Sequence, residues 1–385
     1  MRKKHFLFAS VLALLCSSST LHAQDFKLTS SGYFKNQGVD VMAFDDICPE
    51  GHQGGVCIIM NGHRVATNGD IRLEATPGQW QPVPKQLDRK LGDNSITATL
   101  CYPDSSRHLT GFNPMIYPDL HLIYTVNVES KGKNIEVTVD LDRPIPQEFI
   151  GKVGFNLEFF PGSLFGKPWI MDGQSGIFPQ QPNSPLMTTQ PNYLHTGNYH
   201  DGKQSLADMD KLIGKGYSPI VADDIISEPY AKGRKFTSRP DDPYNKVTIE
   251  SLSGDLQLFD GRMNHNNGWF VLRSNIKPGV TKGAVKWIIT PNVVADWMYQ
   301  PVIQTSQIGY HPAQDKEAVI EMDIRDNRKE TAQIIRIDAD GEKVVKNVTP
   351  ANWGKFLRYN YLKVDFTDVK EPGLYKIKYD TSVSP

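Results

Sequence analysis

Residues 120–142 read LHLIYTVNVESKGKNIEVTVDLD, and this stretch decides the fold class. Apolar residues recur at every second position: Leu122, Tyr124, Val126 and Val128, then Ile135, Val137, Val139 and Leu141. A period of two places each set on one side of a strand and the intervening polar residues on the other. Lys131-Gly132-Lys133-Asn134 breaks the alternation with the residue types a tight turn requires. The stretch is a hairpin with one buried face.

The same grammar extends in both directions. Upstream, VCIIMNGHRVATNG (56–69) places two apolar runs across Asn61-Gly62, the strongest short-range hairpin signal. Downstream, KVGFNLEFFPG (152–162), NKVTIESLSGDLQLFDG (245–261) and GWFVLRSNIKPGVTKGAVKWIITPN (268–292) continue the strand pattern, punctuated by Gly and Pro. The 26 prolines and 31 glycines are spread along the chain and fit many turns rather than one disordered tract. KQSLADMDKLIG (203–214) is the one helical candidate, and it is short. The expectation is an all-β protein: a large N-terminal β-sandwich over residues 24–300, with elaborated loops around 160–205, then a smaller immunoglobulin-like β-sandwich over 301–385. Pro301 marks the boundary between them.

The first 23 residues read as an export signal. Arg2-Lys3-Lys4 is the charged region, Phe6 to Leu15 the apolar one, and Leu21-His22-Ala23 the cleavage site. Leu15 before Cys16 is too bulky for a lipoprotein signal. No later apolar run reaches the roughly 18 residues that span a bilayer. The mature chain is expected to be periplasmic or extracellular. Its loss of three basic residues and no acid moves the formal charge from −1 to −4, which is no footprint for nucleic acid. Three cysteines remain, Cys48, Cys57 and Cys101. Cys48 and Cys57 flank a turn-rich loop that a disulfide could close; buried reduced thiols are the other reading. No Cys-x-x-Cys pair suggests zinc.

The stretch TSQIGYHPAQDKEAVI (305–320), followed by YNYLKVDFTDVKEPGLYKIKYD (359–380), resembles the N-terminal Ig-like domain of family 9 glycoside hydrolases, the cellulase family. The residues carrying the resemblance are Gln307, Gly309, Tyr310, Pro312 and Lys316, then Asp365, Phe366, Thr367, Val369, Gly373 and Tyr375. The preceding region, with GHQGGVCIIMNGHRVATNGDIRLEATPGQWQPVPK and RPDDPYNKVTIES, is similar to the N-terminal extension of Bacteroidetes-type members. The resemblance implies an exported polysaccharide-degrading system, no cofactor, and a catalytic (α/α)6 barrel after the Ig-like domain. That barrel would carry the β-glycan substrate and pack against the Ig-like domain. Its Asp-Ala-Gly-Asp motif does not occur here, so the chain is expected to be the non-catalytic N-terminal portion. The Ig-like domain is expected to be truncated, with an open edge beside LYKIKYD. A free-standing carbohydrate-binding or scaffold protein is the alternative.

The residues themselves offer no catalytic pair. Asp338-Ala339-Asp340-Gly341 reads as a hairpin turn, and its ladder of calcium ligands is incomplete. Glycoside hydrolysis needs two carboxyl groups facing one bond. Asp45-Asp46, Glu50, Asp223-Asp224 and Asp241-Asp242 instead read as turn or capping groups. Asn264-His265-Asn266-Asn267 reads as a turn that is also polar enough for sugar hydroxyls. A mutarotase-like activity would need a His/Glu pair, and no spacing singles out His63, His108, His121 or His265. Among aromatics, Trp269, Trp287 and Trp353 read as core. Trp80, Trp169, Trp297 and Tyr299 lie near turns and are the candidates for stacking on a pyranose face. Packing between domains is the rival role for Trp297 and Tyr299.

Overall fold

The computed structural model describes residues 25–45, 54–74, 76–77, 84–104, 120–182, 227–263 and 268–385. Among them there is no α-helix, and the fold is nearly all β, as the alternation predicts. The helical candidate at 203–214 and the export signal lie outside the described residues.

Among the described residues, two nine-stranded antiparallel sheets form the large sandwich. Sheet A begins at one edge with β1 (Lys27–Leu28), β2 (Phe34–Asn36), β3 (Val39–Ala43), β4 (Val56–Met60) and β5 (His63–Leu73). It continues through β10 (Val153–Phe159), β17 (Phe270–Asn275), β16 (Leu256–Asp260) and β13 (Ala231–Gly233). Sheet B runs β12 (Gln174–Ile177), β11 (Pro168–Met171), β14 (Lys235–Ser238), β15 (Val247–Ser251) and β18 (Val285–Pro291). It ends with β9 (Asn134–Leu141), β8 (Leu122–Lys131), β7 (Ser95–Tyr102) and β6 (Lys85–Leu91). Consecutive strands often change sheet: β15 and β18 belong to B, while β16 and β17 between them belong to A.

The quoted hairpin is β8–β9, paired from Tyr124↔Leu141 to Lys131↔Asn134. Its alternate residues Val126, Val128, Val137 and Val139 are fully buried between the sheets. They meet Phe155, Leu157 and Phe159 of β10, and Trp287 of β18 stacks edge-on against Phe155 at 5.0 Å. The Asn61-Gly62 turn also forms as read, with φ of 52° at Asn61 and 84° at Gly62. Positive φ at both residues is the combination a two-residue hairpin between twisted strands demands.

The smaller sandwich has two four-stranded sheets. One is β19 (Val302–Gln304), β20 (Glu317–Asp323), β24 (Tyr359–Asp365) and β23 (Ala351–Phe356). The other is β22 (Gly341–Val348), β21 (Ala332–Asp338), β25 (Leu374–Tyr379) and β26 (Ser382–Val383). Its core is separate, built from Ile320, Met322, Ile334, Leu362, Val364 and Ile377. Asp338 pairs with Gly341 across the expected hairpin turn.

Two expectations change here. The open edge beside β25 is partly covered, because the tail turns at Asp380 (φ 52°) and folds back as β26. Ser384 N–H donates to the Ile377 carbonyl, and the Ser384 hydroxyl accepts from Ile377 N–H. The Ser382 hydroxyl donates to the Pro301 carbonyl at 2.6 Å. Trp353 is not core but 56% exposed on β23. A bulge between Asn352 and Gly354 shifts the register there.

Candidate functional site

The segment joining the sandwiches, residues 292–301, carries the aromatics Trp297 and Tyr299. Each ring settles on a glycine of a hairpin turn in sheet A. A Cβ on Gly38 would come within 2.7 Å of the Trp297 ring, and one on Gly62 within 2.9 Å of Tyr299. Both glycines have positive φ, so the turns and the ring seats depend on the same two residues. Gln37 Nε2 and Arg325 Nη2 both donate to the Trp297 carbonyl at 2.7 Å, one from each sandwich. Arg358 Nη1 of the small sandwich donates to Asp40 Oδ2 of the large one at 2.6 Å. Tyr299 is fixed to the small sandwich, its N–H donating to Asp323 and its hydroxyl to Glu321. The linker is a clasp.

Beside the clasp lies a cleft of about 470 Å³. That volume is within the range of small-ligand sites. Lys35, Asn36, Asp40, Trp297, Arg358 and Tyr359 are among the residues of both sandwiches that line it. Aromatic rings step along the junction, with Tyr299 5.1 Å from Tyr359 and Tyr359 6.1 Å from Tyr361. Burial pushes the Asp40 carboxyl up, opposed by Arg358 and Lys35. The bonds from Arg325 hold Asp323 down at about 2. Ring faces with charged and amide groups suit a polyhydroxylated ligand. Asp40 and Asp323 are each tied to an arginine, and the bonds from Arg325 keep Asp323 ionised at neutral pH.

Of the four aromatic candidates, the structure brings Trp297 and Tyr299 together in this cleft. Trp169 is a correction: at 6% exposure it belongs to the large core, packed by β12, where Gly176 leaves room for its ring. No free face remains for a sugar. Trp80 lies outside the described residues, as do Cys48, Asp46, Glu50, His108, Asp223, Asp224 and residues 264–267. The Cys48–Cys57 pairing therefore involves a residue outside them, and Cys57 itself is buried in β4. Asp242 caps a turn, accepting from Tyr244 N–H and Asn245 Nδ2, and Asp45 faces Arg89 at 3.7 Å. His63 and His121 are exposed. Trp287 is core as read, and Trp269 is half-buried against Phe160.

Sequence reasoning missed a second feature. The face of sheet A turned away from the inter-sheet core carries Asp70, Arg72, Asn156, Glu158 and Arg273, with Glu74 just beyond β5, and all are buried. Asp70, Asn156, Arg273 and Gln257 stand side by side in register across four strands. A bulge in β5, with Asn68 at φ 56°, lets both Thr67 and Asp70 point to this face. Asn156 Nδ2 and Arg273 Nη1 donate to Glu74 Oε1 at 2.6 and 3.0 Å, and Asn68 Nδ2 donates to Glu158 Oε2 at 2.6 Å. The Tyr124 hydroxyl reaches Asp70 at 2.8 Å. Burial raises the Asp70 carboxyl to about 6 and that of Glu74 to about 7. The alternation Asn68-x-Asp70-x-Arg72-x-Glu74 was visible, but it reads as a solvated strand face. Among the described residues no group of His, Cys, Asp and Glu is arranged to hold a metal ion.

Residues 298–384 match the family described as the cellulase N-terminal Ig-like domain, which makes the small sandwich an Ig-like domain of cellulase-type proteins. No curated protein matches the chain. Among solved structures, the Slr1438 protein from Synechocystis sp. PCC 6803 is 11% identical, covering 76% of this chain and 100% of its own, with a TM-score of 0.30. HI1317 is 7% identical, covering 70% of this chain and 99% of its own, with a TM-score of 0.26. No helix among the described residues is long and apolar enough to cross a membrane.

Proposed function

We propose that this chain is the non-catalytic N-terminal portion of an exported, cellulase-like β-glycan hydrolase of the family 9, Bacteroidetes type. In this reading it braces a catalytic barrel encoded beyond residue 385. The observation that carries the reading is the cellulase-type Ig-like domain at 298–384. The clasp supports it mechanically. Trp297, Tyr299, Arg325 and Arg358 fasten the Ig-like domain to the large sandwich, so a module docked on one is held in a defined orientation to the other. Exposed Trp353, Phe356 and Leu357 at β23 leave an apolar patch for such a module.

The purified chain is assayed on carboxymethyl-cellulose, barley β-glucan and aryl β-glucosides. The expected result is no turnover, with an Asp-Ala-Gly-Asp motif in frame downstream. Turnover that follows the protein through a further column and disappears when one of its own carboxylates is replaced overturns the proposal. A second reading, a free-standing carbohydrate-binding protein, is favoured by the aromatic-lined cleft. Retardation in β-glucan affinity gels that is lost in Trp297→Ala or Tyr299→Ala puts that reading first.

A further inference from the structure

We propose that the cleft between the two sandwiches binds a sugar that carries a carboxylate, a uronate unit in preference to a neutral pyranose. The inference rests on the carbohydrate-binding reading of this cleft and narrows its ligand. It does not depend on a catalytic barrel. The floor of the cleft is a row of residues in register across sheet A. Lys27 of β1 stands opposite Lys35 of β2, Lys35 opposite Asp40 of β3, and Asp40 opposite Ile59 of β4. All four line the cavity of about 470 Å³. Like charges directly opposite one another on paired strands are destabilising. Lys27 and Lys35 are such a pair, and among the described residues neither side chain has a hydrogen bond or a close ion pair. An anion seated beside them relieves that repulsion.

The charge balance of the cleft sets the class of that anion. Its lining carries four cations, Lys27, Lys35, Arg325 and Arg358, against three carboxyl groups, Asp25, Asp40 and Asp323. Arg325 engages Asp323 and Arg358 engages Asp40, which leaves the two lysines against exposed Asp25 alone. The surplus of one positive charge matches a carboxylate better than a phosphate, which carries nearly two negative charges at neutral pH. Arg358 donates Nη1 to Asp40, and among the described residues its Nε and Nη2 have no acceptor. A guanidinium edge of this kind takes a carboxylate through two parallel bonds. Trp297 and Tyr359, both half-buried, add ring surface to the same cavity. The apolar C–H face of a pyranose packs against such a ring, which a bare ion cannot do. A carboxylate on a sugar ring satisfies both halves of the site.

The test is isothermal titration of the whole chain with methyl β-D-glucuronide and methyl β-D-glucoside, which differ only in carboxylate against hydroxymethyl at one carbon. Acetate and inorganic phosphate are the bare-ion comparators. The glucuronide is expected to bind about tenfold or more tightly than the glucoside, the worth of one charge-assisted hydrogen bond, and to weaken as salt is added. Lys27→Met relieves the repulsion with Lys35 and is expected to fold at least as stably as the parent. It should bring glucuronide affinity down towards that of the glucoside, and Lys27→Glu should abolish the preference, while Lys27→Arg keeps it. Trp297→Ala should weaken both sugars together. Equal binding of the two sugars overturns the charge inference and leaves the carbohydrate reading of the cleft standing. No binding of either overturns both. The proposal also fails if acetate or phosphate binds as tightly as the glucuronide, or if Lys27→Met and Lys27→Glu bind the glucuronide as the parent does.

Discussion

Raising the pH through neutrality is expected to destabilise this protein, and Glu74 is the main cause. Its carboxyl is buried and titrates at about 7 when folded, against 4.5 for an ordinary glutamate. Asp70 behaves alike, at about 6 against 3.8, and burial is the first cause for both. An acid whose folded value is raised carries no penalty below its unfolded value, because it is then protonated in both states. Stability is lost as pH climbs through the folded value, since only the unfolded chain ionises freely. At about 1.4 kcal/mol per pH unit, the Glu74 interval alone is worth about 3 kcal/mol. The loss begins near pH 4.5 and is complete shortly above pH 7. Asp70 contributes earlier, between about pH 4 and 6. Asp323 runs the other way: held at about 2 by Arg325, it contributes stability above 3.8 that is lost only in strong acid. The two windows do not overlap, so maximal stability is expected near pH 4 to 5. Urea denaturation of the large sandwich, followed by tryptophan fluorescence from about pH 4.5 to 8.5, measures this directly. Glu74→Gln retains an acceptor for Asn156 and Arg273 but cannot ionise, and should remove about half of the slope. A stability that is flat or rising between pH 5 and 8, or a Glu74→Gln slope equal to the parent's, would refute the reasoning.

Three further outcomes follow from the clasp, and one from the surface. Trp297→Ala removes the ring seated on Gly38 and should split a coupled melt into two calorimetric transitions, with new protease cleavage near Gln300-Pro301. Gly38→Val places a branched side chain at φ 66° against Asn61 and Trp297. Chemical denaturation should show a cost of about 2 kcal/mol or more, from backbone strain and the clash together. Arg358→Met breaks the ion pair with Asp40, but the Arg358 side chain is 46% exposed. The loss should therefore stay below about 1 kcal/mol and shrink further in salt. Trp353→Ser, by contrast, should leave the melting temperature almost unchanged and improve solubility.

Strand character was legible in the sequence because it rests on local rules. Alternation at Leu122–Lys131 and Asn134–Leu141 puts one set of side chains on one face whatever the partner strands are. Asn61-Gly62 forces a turn through backbone sterics alone. The Gly309-Tyr310 turn and the Asp365-Phe366-Thr367 run marked an Ig-like domain because those residues sit at fixed offsets along the chain. Sheet membership was not legible. Nothing local tells β15 to join β18 and β14 in one sheet while β16 crosses to the other, since that choice is made by which apolar faces close a common core. Nor could the sequence place Trp169 and Trp353 on the correct sides. Both sit in strands near turns, and their burial depends on β12 covering one and on a bulge exposing the other. The polar face of sheet A shows the same limit. Asp70, Arg72 and Glu74 carry the pattern of a wet strand face, and only tertiary packing buries them. Asn156, Glu158 and Arg273, distant in sequence, then become their neighbours on that face, a change of environment that no local pattern records.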